Sequence, residues 1–253
     1  MNQGSKQNSI KVPDTVEIFG IVFPRITQSE LLERMHQKLI HRNGAAVCFP
    51  DMSTMNLITA DSDLQQIVAN NFEAYNDGAG LALAARSKGK PFPDNLNGTD
   101  FIPAFLNIAP KGSRVFLLGG REQILSAALE KLKEEFSHIK FVGSHNGYFE
   151  PEDVPDVVDI VRYANPDIVL VAMGNPQQLI FINECRNHPC FEHVLFFAVG
   201  GLLHYFAGDL TRAPKLIRSL RLEWLFIVLQ QPHKFRRYFF GIPRFFINLI
   251  IRW

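Results

Sequence analysis

The sequence predicts an α/β fold: a Rossmann-like, mostly parallel sheet with helices on both faces, plus a helical C-terminal appendage. Three observations predict it. Short apolar runs alternate with longer amphipathic ones from about residue 16 to residue 199, as in successive βαβ units. The run at 167–173 is continuously apolar after its Asp, as for a strand covered on both faces. After Gly201 the composition turns to Arg, Phe and Trp.

Taken in order, residues 16–19 read as a strand. Thr27 and Glu30 make a T-x-x-E capping box that opens a helix with Leu31, Leu32, Met35, Leu39 and Ile40 on one face. Residues 45–49 form the second strand, followed by helical segments through Asn70, in which Asp61 and Asp63 suit capping. Residues 72–76 are a short strand and 79–87 a helix of small residues. A strand at 114–118 precedes a helix at 121–136, and a strand at 139–142 precedes a helix at 152–163. The apolar strand at 167–173 leads to a helix beginning at Pro176, and 194–199 is the last strand. In the tail, 213–230 and 232–253 read as helices, the second broken by Gly241 and Pro243. A boundary near Gly208 separates a body at 1–208 from an appendage at 209–253.

Composition narrows the class. With 253 residues, 47% hydrophobic and 20% charged, the chain can bury a sizeable core. Cys48, Cys185 and Cys190 contain no CxxC pair, which argues against a zinc site or a disulfide framework and for a reducing compartment. Residues 1–9 are polar, so no signal peptide is expected. The longest apolar stretches fall short of the roughly 18 residues that span a bilayer. Charge is asymmetric. From Thr211 onward, nine Lys and Arg face the single acid Glu223, a net +8, whereas the remainder is −7. Nine aromatic residues are interleaved with those cations, a composition suited to a helix lying among anionic headgroups, where each cation adds about 1 kcal/mol. An ordinary amphipathic helix packed on the body is the competing reading. Nucleic acid is disfavoured, because bulky apolar side chains are mixed with the basic ones.

In an open parallel sheet, ligands bind beyond the carboxyl ends of the strands. The Gly-rich and polar residues fall there: Asn76-Asp77-Gly78, Gly119-Gly120-Arg121, Gly174-Asn175-Pro176-Gln177-Gln178 and Gly200-Gly201. Gly119-Gly120 reads either as a plain tight turn or as a close backbone approach to phosphate ahead of a helix N-terminus. Asp77 reads either as a helix N-cap or as a general base for an acceptor hydroxyl. Gln178 reads as a surface residue early in a helix or as a contact to a nucleotide base or ribose. No HxH, HExxH or DxD-like cluster suggests a metal, so a leaving diphosphate would be stabilised by helix N-termini and arginines.

Five ordered motifs carry a resemblance: NDGAGLALAARSKGKPFPDNLNGTDF (76–101), RVFLLGG (114–120), GSHNGYF (143–149), DIVLVAMGNPQQ (167–178), and AVGGLLHYFAGDLTRAPK followed by LEWLFIVLQQPHKFRRY. With these the chain resembles the WecG/TagA/CpsF family of glycosyltransferases over roughly 19–238. The resemblance implies an inverting, metal- and cofactor-independent transfer from a UDP-sugar to a polyprenyl-diphosphate-linked saccharide, in bacterial exopolysaccharide or cell-surface polymer synthesis. It places the enzyme in the cytoplasm, peripheral on the inner face of the cell membrane, and is compatible with a homo-oligomer. Asp77 matches the family's catalytic base and Gln178 a glutamine of its nucleotide pocket, with Asn76, Gly78, Gly119, Gly120, Arg121, Asn175, Gly200 and Gly201 around them. The basic tail matches an appendage that closes over the site and holds the enzyme on the anionic membrane. Arg212, Arg221, Arg236 and Arg237 are then candidates for contacting diphosphate or headgroups. Three positions depart from the pattern: Phe49-Pro50-Asp51 replaces Thr-Pro-Asn, Leu179 replaces a Glu, and His204 replaces an acid. Asp51 becomes a second candidate carboxylate, and the donor is either of N-acetylmannosamine type or a hexose such as glucose. Two rivals stand: a non-catalytic, membrane-recruited nucleotide-binding module, and a nicotinamide-dependent oxidoreductase, which the missing G-x-G-x-x-G disfavours.

Overall fold

Successive residues of each central strand face two different apolar layers, and this alternation decides on which side of the sheet every helix packs. The computed structural model describes residues 13–214, 223–231 and 235–251, apart from the side chains at 223, 224 and 236–238. The described chain opens with a hairpin in which β1 (Thr15–Ile18) and β2 (Ile21–Pro24) pair antiparallel around Phe19-Gly20. Both turn residues have positive φ, 53° and 78°, as a two-residue type I′ turn requires. The strand expected at 16–19 is thus present but stands outside the parallel sheet. Its partner β2 is unmarked in the sequence, because Phe occupies a turn position that normally carries Asn, Asp or Gly.

Next come α1 (Gln28–Ile40), with the expected capping box between Thr27 and Glu30, β3 (Ala45–Cys48), α2 (Met52–Ile58) and α3 (Ser62–Asn71), capped by Asp61. They are followed by β4 (Phe72–Ala74), α4 (Gly78–Ser87), α5 (Gly98–Ile108), β5 (Arg114–Gly119), α6 (Glu122–Glu135), β6 (Lys140–His145) and α7 (Val154–Ala164). The body ends with β7 (Ile168–Ala172), α8 (Gln177–Arg186), β8 (Leu195–Ala198) and α9 (Leu202–Phe206). Six strands pair in the order β4-β3-β8-β7-β5-β6, every neighbouring pair parallel. Val169 and Val171 of β7 face the layer under α2, α3, α4, α7 and α8. Ile168 and Leu170 face the layer under α1, α5, α6 and α9. The chain therefore leaves β7 toward one side of the sheet and leaves its neighbours β5 and β8 toward the other. Loops that diverge in this way open a crevice at the carboxyl edge of the strands.

The helix α5 has no counterpart in the sequence pattern, since Pro91, Pro93, Pro103 and Pro110 read as punctuation. It forms because Phe101, Ile102, Phe105 and Leu106 are all buried against the sheet. Four such side chains contribute roughly 6–12 kcal/mol, against about 3 kcal/mol lost at the internal Pro103.

Two further helices are described in the tail, α10 (Glu223–Gln230) and α11 (Phe235–Ile251). The break expected at Gly241 and Pro243 does not occur: α11 runs through both. Tertiary packing overrides the proline. Phe245 and Leu249 sink into the layer beside α2, the Phe245 ring meets Phe19 edge-on at 5.4 Å, and Asn56 Nδ2 donates to Gly241 O at 2.7 Å. The outer side of these helices keeps Leu229, Phe235, Phe239, Phe240, Ile250 and Ile251 exposed. Among the described residues, no helix is long and apolar enough to cross a membrane.

Candidate active site

The loop after β4 is fixed from three directions. Tyr75 N–H donates to Cys48 O (2.9 Å), Asp77 N–H to Pro50 O (3.1 Å) and Leu96 N–H to Asn76 O (2.9 Å). Asn76 is 1% exposed and donates its Nδ2 to Asp94 O at 2.9 Å. Asp77 occupies the N-cap position of α4, half-buried, yet its side chain makes no cap hydrogen bond. Asn95 Oδ1 accepts from Gly78 N–H instead, at 2.6 Å. Asp77 therefore stands at a helix start without serving as its cap. Gly80 makes the neighbouring approach: a Cβ there would overlap the Met52 side chain. Its absence lets α4 and α2 meet near their first turns, so the Asp51 and Asp77 loops lie side by side.

Asp51 does cap its helix. Its Oδ1 accepts from the N–H and from the hydroxyl of Thr54, both at 2.7 Å. Thr54 Oγ1 in turn accepts from Asn175 Nδ2 (3.0 Å), and Asn175 Oδ1 accepts from Gln178 Nε2 (2.8 Å). Gln178 Oε1 accepts from Gly200 N–H at 3.0 Å. The loops after β3, β7 and β8 are thereby joined by side chains. Gln178 is buried at 3% exposure, so it is not the surface residue that its position early in a helix suggested. Gly174, Gly200 and Gly201 have open space where a side chain would stand.

Gly119 and Gly120 close the rim on the β5 side. Gly119 is required by protein rather than by ligand, since a Cβ at its φ of 135° would overlap the Ala172 carbonyl. Gly120 N–H donates to Ala172 O at 3.2 Å, and Gly147 N–H donates to Gly120 O at 3.0 Å, which ties in the loop after β6. Arg121, exposed at the start of α6, lies over the Tyr148 ring with its guanidinium carbon 5.6 Å from the centroid. Arg212 pairs with Asp100 at 2.6 Å and donates to Asn97 Oδ1 at 3.3 Å, anchoring the start of the tail on the first turn of α5. Arg221 and the side chains of Arg236 and Arg237 lie outside the described residues.

A family model for the glycosyl transferase WecG/TagA/CpsF family matches residues 16–253. The chain belongs to this family of glycosyltransferases. A glycosyltransferase of this family acts on a sugar donor and an acceptor, and the crevice at the strand ends is where this sheet can hold them.

The three positions expected to depart from the family pattern have distinct structural settings. Phe49 takes part in an aromatic cluster, 5.5 Å from Phe101 and 6.2 Å from Tyr75, and packs half-buried against the core. Leu179 is buried at 1% exposure. His204 Nδ1 lies 2.7 Å from Asp209 Oδ2, so a carboxylate stands beside the position where an acid was expected. His145 is turned back on its own loop, with Nδ1 2.7 Å from Asn146 O. Burial pushes the Cys48 thiol well above its ordinary range, so it is no nucleophile. Among the described residues no three His, Cys, Asp or Glu side chains come together as a metal site would need. Two participants were missed by sequence reasoning. Thr54 stands three residues after Asp51, the spacing of a cap and its partner, which is the signal that finds it. Asn95 carries no local signal, since only the folded loop brings it to Gly78.

Proposed function

We propose that this glycosyltransferase transfers a sugar, with inversion, from a UDP-sugar to a polyprenyl-diphosphate-linked saccharide during assembly of a bacterial exopolysaccharide or cell-surface polymer. The acceptor hydroxyl oxygen attacks the anomeric carbon, the bond from that carbon to the diphosphate breaks, UDP leaves, and the hydroxyl proton passes to Asp77 as general base. The observation that carries this reading is the position of Asp77 at the carboxyl edge of the sheet, relieved of helix capping by Asn95, beside loops bonded into one rim. In this proposal the backbone N–H groups at the start of α6 and Arg121 take the departing diphosphate, a role shared with Arg221, Arg236 and Arg237. Residues 209–253 form the appendage that brings the enzyme to the cytoplasmic face of the membrane. Exposed apolar residues along α10 and α11, in a segment of net +8, support that attachment. The donor is of N-acetylmannosamine type or a hexose such as glucose.

The test is a panel of UDP-sugars on a synthetic polyprenyl-diphosphate sugar, with product mass and anomeric configuration determined. One UDP-sugar should give a product lengthened by one residue, with its anomeric configuration opposite to the donor's. Retention of configuration, or no turnover by an enzyme that binds UDP, contradicts the proposal.

A further inference from the structure

The side chains that join the loops form a chain of hydrogen bonds with a single direction. At one end stands the backbone N–H of Gly200, which can only donate; at the other stands the Asp51 carboxylate, which when ionised can only accept. Between them Gln178, Asn175 and Thr54 each accept one bond and donate the next, at 3.0, 2.8, 3.0 and 2.7 Å from Gly200 to Asp51. The fixed ends decide how both amides are turned. Thr54 has one hydroxyl proton and gives it to Asp51, so its oxygen is left to accept, and Asn175 must present Nδ2 to it. Asn175 Oδ1 then faces Gln178 Nε2, and Gln178 Oε1 faces Gly200. Reversing either amide would set donor against donor or acceptor against acceptor within a part-buried network.

We infer that Thr54 is a positioning residue for the donor nucleotide: its hydroxyl fixes Asn175 and Gln178, and through them the backbone of Gly200-Gly201 at the mouth of the crevice. This rests on the proposed UDP-sugar chemistry. Three features make Thr54 the element on which the arrangement turns. It is 4% exposed, so no solvent replaces its hydroxyl. It is the only member of the chain on α2, and its single bond to Asn175 joins the β3 side of the rim to the β7 side. At the far end, Gly200 has a φ of 53° with open space beside it, and its backbone course is held by the bond to Gln178.

Thr54→Val removes the hydroxyl at nearly constant volume and leaves the Thr54 backbone cap to Asp51 in place. Thr54→Ser restores the hydroxyl. Both are compared with the wild type by calorimetric UDP binding, by kcat and KM for the active UDP-sugar, and by amide exchange at Gly200. Thr54→Val should weaken UDP binding and raise donor KM by about 5- to 30-fold, with kcat falling less than about 3-fold, the scale of one buried hydrogen bond. Amide exchange at Gly200 should quicken, and Thr54→Ser should return all of these to within about 2-fold of wild type. A merely structural role would lower thermal stability without this split between KM and kcat and without rescue by serine. Should the valine variant fail to fold, Thr54→Ala carries the same comparison. Unchanged UDP binding and donor KM in a folded variant lacking the hydroxyl overturns the inference. A wild-type protein that binds no UDP overturns the nucleotide reading as well, and faster Gly200 exchange in Thr54→Val would then show that the hydrogen-bond chain itself is correctly described.

Discussion

Glu73 shows how single side chains hold the edge of the sheet next to the site. It lies on β4 and receives three partners: Arg34 Nε and Lys38 Nζ from α1, each at 3.0 Å, and the Tyr75 hydroxyl at 2.8 Å. Burial raises the Glu73 carboxyl, but the hydrogen bond and charge of Arg34, joined by Lys38, outweigh it and hold the group below its ordinary value. A carboxyl depressed in the folded state contributes stability that is present above its unfolded value, near 4.3, and lost as pH falls through the lower, folded one. Thermal melts from pH 7 down to pH 3 should therefore show the wild type losing stability below about pH 4.5 more steeply than Glu73→Gln. At pH 7 the variant should be less stable by about 1–3 kcal/mol. Parallel pH profiles would remove Glu73 from the account of acid sensitivity. Asp51 and Asp77, by contrast, occupy equivalent N-cap positions and differ in use: one holds α2, while the other leaves its helix to Asn95. Their sequence surroundings do not distinguish them, because the distinction lies in a residue 18 positions downstream of Asp77.

Among the elements, the helices most at odds with local propensity are the ones that tertiary packing rewards most. Pro103 in α5 and Pro243 in α11 each cost a backbone bond, and each helix is held by buried apolar side chains on its inner face. For α11 the anchor is Phe245, fully buried and set edge-on against Phe19 at the hairpin tip. Phe19 itself has a φ of 53°, uncommon for a bulky residue, and its carbonyl accepts from Gln65 Nε2 at 2.7 Å. Phe245→Ala should lower stability by about 3–5 kcal/mol, read as a fall in the denaturant midpoint. A variant within about 1 kcal/mol of wild type would mean that α11 does not share the body's core. The hairpin and α5 escaped the sequence pattern for related reasons: a type I′ turn built on Phe gives no Asn-Gly signal, and four prolines mask an amphipathic helix.

At the scale of the whole molecule, the βα alternation was legible because each central strand is an apolar run closed by Gly, Asn or Asp. That pattern fixes both the parallel sheet and the edge at which the candidate-site loops gather. The loops of the candidate site were legible as positions. What joins them was not, since Gln178, Asn175 and Thr54 meet only when α2 and α8 pack on the same face. The tail's charge and aromatic content were visible, whereas the docking of α11 on α2 required the fold. The body of this chain thus provides one rim, and in the proposed reaction that rim holds a UDP-sugar with Asp77 beside the attacking hydroxyl. The most direct measurement is turnover by Asp77→Asn on a polyprenyl-diphosphate sugar acceptor, alongside its affinity for UDP. The variant should fold, bind UDP within about 3-fold of wild type and lose at least about 100-fold in kcat. Near-normal turnover by that variant would contradict the proposed reaction.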